Sequence, residues 1–193
     1  MTSEPTEHVW NNFLITGFGR SGTMFLAAAL NRSLTWEVTH EPEGKHAELS
    51  EVVARFARDN YGEVNSQLRK WLPLIPAKHK AVIIRHPQQL ALSVYNRHPR
   101  QTPTRLHGVW QLLDDYITSG YQVFRFEHFT GDIGELQRIA TWAGIEDLEL
   151  PRDILEQRVN ATHRMIVSHY DEIPEGIRNE IDEGVSWFQQ KYY

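Results

Sequence analysis

The chain has 193 residues, with 25 acidic against 20 basic side chains for a net charge of −5, and 40% of it is hydrophobic. That length fits a single domain over 1–193 with a short polar tail at about 1–9, and the acidic balance leaves no general attraction for nucleic acid, so any anion site has to be a local basic cluster. With no cysteine there is no disulfide or thiolate metal site, and the lack of a long apolar run leads to the expectation of a cytoplasmic protein with no membrane span.

In chain order, Asn12 to Thr16 is expected as a first strand. It runs into Gly17-Phe18-Gly19-Arg20-Ser21-Gly22-Thr23, and the small apolar segment from Met24 to Leu30 then predicts a helix over 23–32. In a strand, glycine turn and helix, backbone N–H groups converge on an anion at the helix N-terminus, where the macrodipole also favours negative charge. The two glycines at 17 and 22 have the spacing of a Walker A loop, but Thr23 stands where its lysine belongs. Arg20 supplies a planar, permanently charged fork instead. The loop therefore points to phosphate and away from a tightly cradled triphosphate.

A weaker strand at 36–39 leads into His40-Glu41-Pro42-Glu43-Gly44. Helices are expected at 46–59, where Leu49, Val52, Val53 and Phe56 form an apolar stripe, and at 63–72. The strand at 81–85 ends in Arg85-His86-Pro87, and Pro87 suits the first position of a helix over 87–97 that carries Ser93. After a loop at 97–104 come a helix at 105–118, a strand at 121–126, a helix at 131–143, a loop at 157–173 and a packing helix at 175–192, with Ile177, Ile181, Val185, Phe188 and Tyr192 on one face. This alternation predicts an α/β fold, three layers α/β/α around a central parallel sheet, with the site at the strands' carboxyl ends. Ten histidines raise the question of a metal. His40-Glu41-Pro42-Glu43-Gly44 lacks the HExxH spacing, so no metal ligands are expected.

Three segments in order resemble the sulfotransferases that use 3'-phosphoadenosine 5'-phosphosulfate (PAPS), which have a P-loop NTPase-like architecture. They are Phe18 to Thr23, Arg85 to Tyr95, and Val123 to Phe129 followed by Leu136 to Ile145. The resemblance covers roughly residues 12–146. It implies that Gly19, Arg20, Ser21, Gly22, Thr23 and the adjoining Met24 hold the 5'-phosphosulfate, and that Arg85 and Ser93 hold the 3'-phosphate. Phe25 and Phe126 fall where the family stacks aromatics on adenine. Arg20 is implied to stabilise the departing phosphate, Glu41 is the expected general base, and His40 is its rival because an imidazole titrates near neutrality. The acceptor would be a small-molecule or glycan hydroxyl or amine, the product 3',5'-ADP, and no metal would be required. The chain departs from the family at 158–164, where Arg158 or Arg164 stands without the family's glycine; Arg164 is the expected residue to close over the cofactor. Two other readings stay open. One is a P-loop kinase or NTPase with Glu127 holding Mg²⁺, the other a non-catalytic nucleotide-binding module.

Overall fold

Five strands lie parallel in the order β2-β3-β1-β4-β5. They are β1 (Asn12–Gly17), β2 (Glu37–Thr39), β3 (Tyr61–Val64), β4 (His79–Ile84) and β5 (Gln122–Arg125). A computed structural model describes residues 10–42, 48–157 and 165–193 of the chain. All six residues of β1 are buried, because β1 is the central strand and its register pairs Ile15 with Val64 of β3 on one side and with Ala81 of β4 on the other.

Side chains alternate across the sheet and sort into two cores. Leu14, Val82 and Ile84 point into one, where they meet α3 (Pro87–Tyr95), α5 (Val109–Thr118) and α8 (Glu175–Tyr192) through Leu90, Leu113, Ile181 and Phe188. Phe13, Ile15, Ala81, Ile83 and Phe124 point into the other, against α1 (Thr23–Leu30) and α7 (Ile133–Ala143) through Leu26, Leu30, Leu136 and Ile139. The architecture is therefore the expected three-layer α/β/α sandwich.

The expected strands at 12–16 and 81–85, the weak strand at 36–39, and the helices at 23–32, 87–97, 131–143 and 175–192 all form, with ends shifted by a few residues. Other elements depart from expectation. The helix expected at 63–72 is replaced by β3 and a 3-10 helix, Ser66–Trp71, because Tyr61 to Val64 pairs with both β1 and β2. The helix at 46–59 shortens to α2 (Leu49–Arg55). The loop at 97–104 contains a 3-10 turn and the start of α4 (Thr102–Leu106), and the helix at 105–118 is broken by Gly108, whose φ of 72° ends the α4 segment and starts α5. The last strand stops at Arg125, and Phe126 opens a one-turn helix, α6 (Phe126–Phe129). Of the loop at 157–173, the described part holds a single 3-10 turn, Tyr170–Glu172.

Candidate active site

β1 delivers the glycine loop to the carboxyl edge of the sheet, at the N-terminus of α1. The loop turns tightly, with Ser21 N–H and Ser21 Oγ both donating to Phe18 O, at 3.0 and 2.6 Å. Gly22 caps α1 at φ 88°, and a Cβ there would lie 2.5 Å from the Phe126 ring, so this position admits no side chain for two independent reasons. Arg20 adopts φ 81° without being glycine, a strained conformation of the kind found at binding loops. Thr23 is buried in the first turn of α1, and Met24 and Phe25 beside it are half-buried.

The two anion motifs meet. Arg20 Nε donates to Ser93 Oγ at 3.1 Å, and Arg85 Nη1 donates to the Arg20 carbonyl at 2.8 Å. β4 ends one residue before Arg85, so the side chain leaves the sheet beside the loop, and Pro87 at the start of α3 aims Ser93 from the next helix. The Arg85 guanidinium lies 4.1 Å over the Phe126 ring, and its Nε is buried without a hydrogen-bond partner. Burial pulls Arg85 down to about 10, opposed by Glu127 and reinforced by the Arg20 charge. Arg20 is lowered too, by burial and then by Arg97. Among the described residues no carboxylate lies within ion-pair distance of Arg20 or Arg85. Glu127 is the nearest candidate, but its Oε1 accepts the His86 backbone N–H at 2.7 Å.

His40 and Glu41 follow β2 on the same edge. His40 Nε2 is 3.1 Å from Thr23 Oγ1 and 3.9 Å from Glu41 Oε1. Burial lowers the imidazole below its usual value, with Glu41 pulling the other way. Glu41 has φ 46° and both of its oxygens occupied, Oε1 by Ser66 Oγ and Oε2 by Gln67 Nε2 at 3.3 Å.

Both aromatics are half-buried, each with a neighbour against its ring. Phe25 stacks on Phe129 at 6.2 Å with an interplanar angle of 12° and packs against the core, and one face of Phe126 is covered by Arg85. Arg164 and Arg158 lie outside the described residues. Sequence reasoning missed Ser66 and Gln67, because they fall inside the helix expected at 63–72. The signal that finds them is Asn65, a favoured helix N-cap, whose side chain accepts from Gln67 N–H at 2.9 Å.

No protein-family profile matches the chain, and no curated protein matches it. Solved structures match in shape. A sulfotransferase from Alicyclobacillus acidocaldarius superposes with a TM-score of 0.56 over 93% of this chain and 94% of that one, at 14% identity. A mouse sulfotransferase, SULT7A1 complexed with PAP, gives 0.55 over 95% and 89%, at 11% identity. The chain has a sulfotransferase fold.

Within this sulfotransferase fold the carboxyl edge gathers two guanidiniums, a hydroxyl, a helix N-terminus and a half-buried imidazole. Such a set suits a polyanion with more than one phosphate-like group, because among the described residues neither guanidinium has a carboxylate within ion-pair distance and the loop and α1 supply backbone donors.

Proposed function

We propose that this protein is a PAPS-dependent sulfotransferase, transferring a sulfuryl group to a hydroxyl or amine of a small-molecule or glycan acceptor and releasing 3',5'-ADP. The observation that carries the reading is the joining of Arg20, Ser93 and Arg85 at the N-terminus of α1. The PAP complex of a structural neighbour supports it. Bound PAPS supplies an activated sulfuryl group on a phosphate leaving group. The chain's own residues do the rest.

Arg20 and the loop amides stabilise the charge that grows on the phosphate oxygen as its bond to sulfur breaks and the bond from the acceptor oxygen or nitrogen forms. Arginine holds its proton, so this help is electrostatic. Arg85 and Ser93 hold the 3'-phosphate. The acceptor's proton falls to His40, because burial keeps the imidazole neutral at pH 7 and Nε2 faces the loop at Thr23, while both Glu41 oxygens are already engaged. Glu41, whose Oε1 lies 3.9 Å from Nε2, is then the carboxylate whose charge balances the imidazolium. Glu127, which a Mg²⁺-dependent kinase needs at the end of β5, instead accepts a backbone N–H beside Arg85.

Calorimetric titration tests the assignment. 3',5'-ADP is expected to bind without added metal, and 5'-AMP, which lacks the 3'-phosphate, at least tenfold more weakly. Arg85→Ala should cost about 10- to 100-fold in 3',5'-ADP affinity, the scale of a charge-assisted phosphate contact. Preferential binding of ATP with Mg²⁺, or an unaltered affinity in Arg85→Ala, sinks the reading.

A further inference from the structure

One short turn holds both oxygens of Glu41. Ser66 Oγ donates to Oε1 and Gln67 Nε2 to Oε2. That turn is fastened from two sides. On the β1 side, Asn65 N–H donates to Ile15 O at 2.9 Å and Asn65 O accepts Thr16 Oγ1 at 2.8 Å, so the turn hangs from the strand that carries the glycine loop. On the other side Asn65 Nδ2 donates to Glu63 Oε2 at 3.1 Å, and Glu63 Oε1 receives Arg55 Nε and Tyr61 O–H, each at 2.6 Å. Glu63 is fully buried.

This chain of contacts is a costly way to add stability. A buried ion pair roughly breaks even against an apolar replacement, because desolvation offsets the Coulombic gain. Its geometry is what sets it apart: the polar path runs unbroken from Arg55 through Glu63, Asn65 and Gln67 to Glu41. Glu41 in turn holds a left-handed backbone, φ 46°, that an L-residue adopts only when its surroundings impose it. Ser66 Oγ also stands 3.7 Å from where a Cβ on Gly19 would lie, which puts the Glu41 anchor against the phosphate loop itself.

We propose that the Asn65–Ser66–Gln67 turn, fastened to the buried Glu63–Arg55 pair, is the positioning element of this site, pinning the Glu41 carboxylate beside His40 and the glycine loop. Its catalytic meaning rests on the sulfotransferase reading, but its geometry is tested without any acceptor. Among the described residues the charged group that acts on His40 is Glu41, which also faces the Arg69 guanidinium of the same 3-10 helix as Ser66 and Gln67, and Thr23 Oγ1 from α1 is the neutral neighbour of His40. The His40 ring therefore reports where the Glu41 carboxylate sits.

The experiment follows the His40 Hε1 resonance by proton NMR across pH, identified by its loss in His40→Gln. Glu41→Gln should move the His40 midpoint to lower pH, because the raising charge is gone. The double variant Ser66→Ala/Gln67→Ala should move it the same way, since an unpinned Glu41 relaxes into solvent. Ser66→Thr, which keeps the hydroxyl, should restore the parent midpoint when compared with Ser66→Ala. Both substituted positions lie at the start of a 3-10 helix, Ser66 buried and Gln67 half-buried, so retained amide dispersion is read alongside to confirm that each variant keeps the fold. A double variant that titrates like the parent while Glu41→Gln shifts overturns the proposal, as does a Glu41→Gln that leaves His40 unmoved. Titration of the parent with 3',5'-ADP is read in parallel: its failure to bind removes the functional reading and leaves the His40 result standing by itself.

Discussion

Arg85 lies over Phe126, gives one N–H to the loop carbonyl of Arg20 and keeps Nε buried without a partner. Burial lowers it to about 10, which leaves the guanidinium cationic throughout the neutral range. Binding of 3',5'-ADP should accordingly hold steady from pH 7 to 9, which calorimetry in matched buffers reads directly. Gly22 shows how closely this corner is packed. In Gly22→Ala the positive φ and the overlap with the Phe126 ring together should cost about 3 kcal/mol, lowering Tm by roughly 10 °C in a chain of this size. His40 and His79 are both held below the ordinary imidazole value, foremost by burial, with Glu41 opposing at His40 and Lys78 reinforcing at His79. A lowered histidine binds its proton more readily when unfolded, so stability is full above the unfolded value and is lost as pH falls through the folded one. Urea midpoints should therefore drop on acidification below about pH 6.5, and His40→Gln should flatten part of that slope.

At the scale of elements, β3 is where sequence and structure part. The glycine loop, the Arg85 strand end and Ser93 were all legible, because each sits next to a strong local signal: an apolar run, a turn glycine, a proline at a helix start. Tyr61-Gly62-Glu63-Val64 carries none of these. Gly62 is there because a Cβ would fall 2.1 Å from the Phe13 ring, and Glu63 because Arg55, Tyr61 and Asn65 satisfy its carboxylate. Both reasons are tertiary, so periodicity sees only a polar, glycine-containing stretch running into Leu68 and Leu72, which reads as a helix. The Ser66 and Gln67 contacts to Glu41 were lost with it. Phe25 and Phe126 sit at the positions the resemblance indicated, each with a neighbour against its ring, Phe129 for Phe25 and the Arg85 guanidinium for Phe126. Glu63→Gln tests the strand's dependence on its charge. Removing the buried carboxylate charge opposite Arg55 should destabilise the protein by about 3 kcal/mol, measured by urea unfolding.

For the whole molecule, both anion motifs lie on one edge of one sheet, so a ligand that bridges them ties β1, β4, α1 and α3 together. A ligand that binds only the folded state adds about 2.7 kcal/mol at a hundredfold excess over its Kd. Scanning calorimetry with saturating 3',5'-ADP should raise Tm by roughly 5–10 °C, and Arg85→Ala should abolish most of that shift at the same ligand concentration. Among the described residues no helix is long and apolar enough to cross a membrane. Paired on both edges and buried along its whole length, β1 should be among the last segments to exchange its amide protons with deuterated water, opening only when the entire sheet does. The glycine loop and the turn that holds Glu41 both depend on that strand, so the chemistry is suspended from the slowest clock in the protein, while the outer strand β2 and the surface helices open and reclose many times around it.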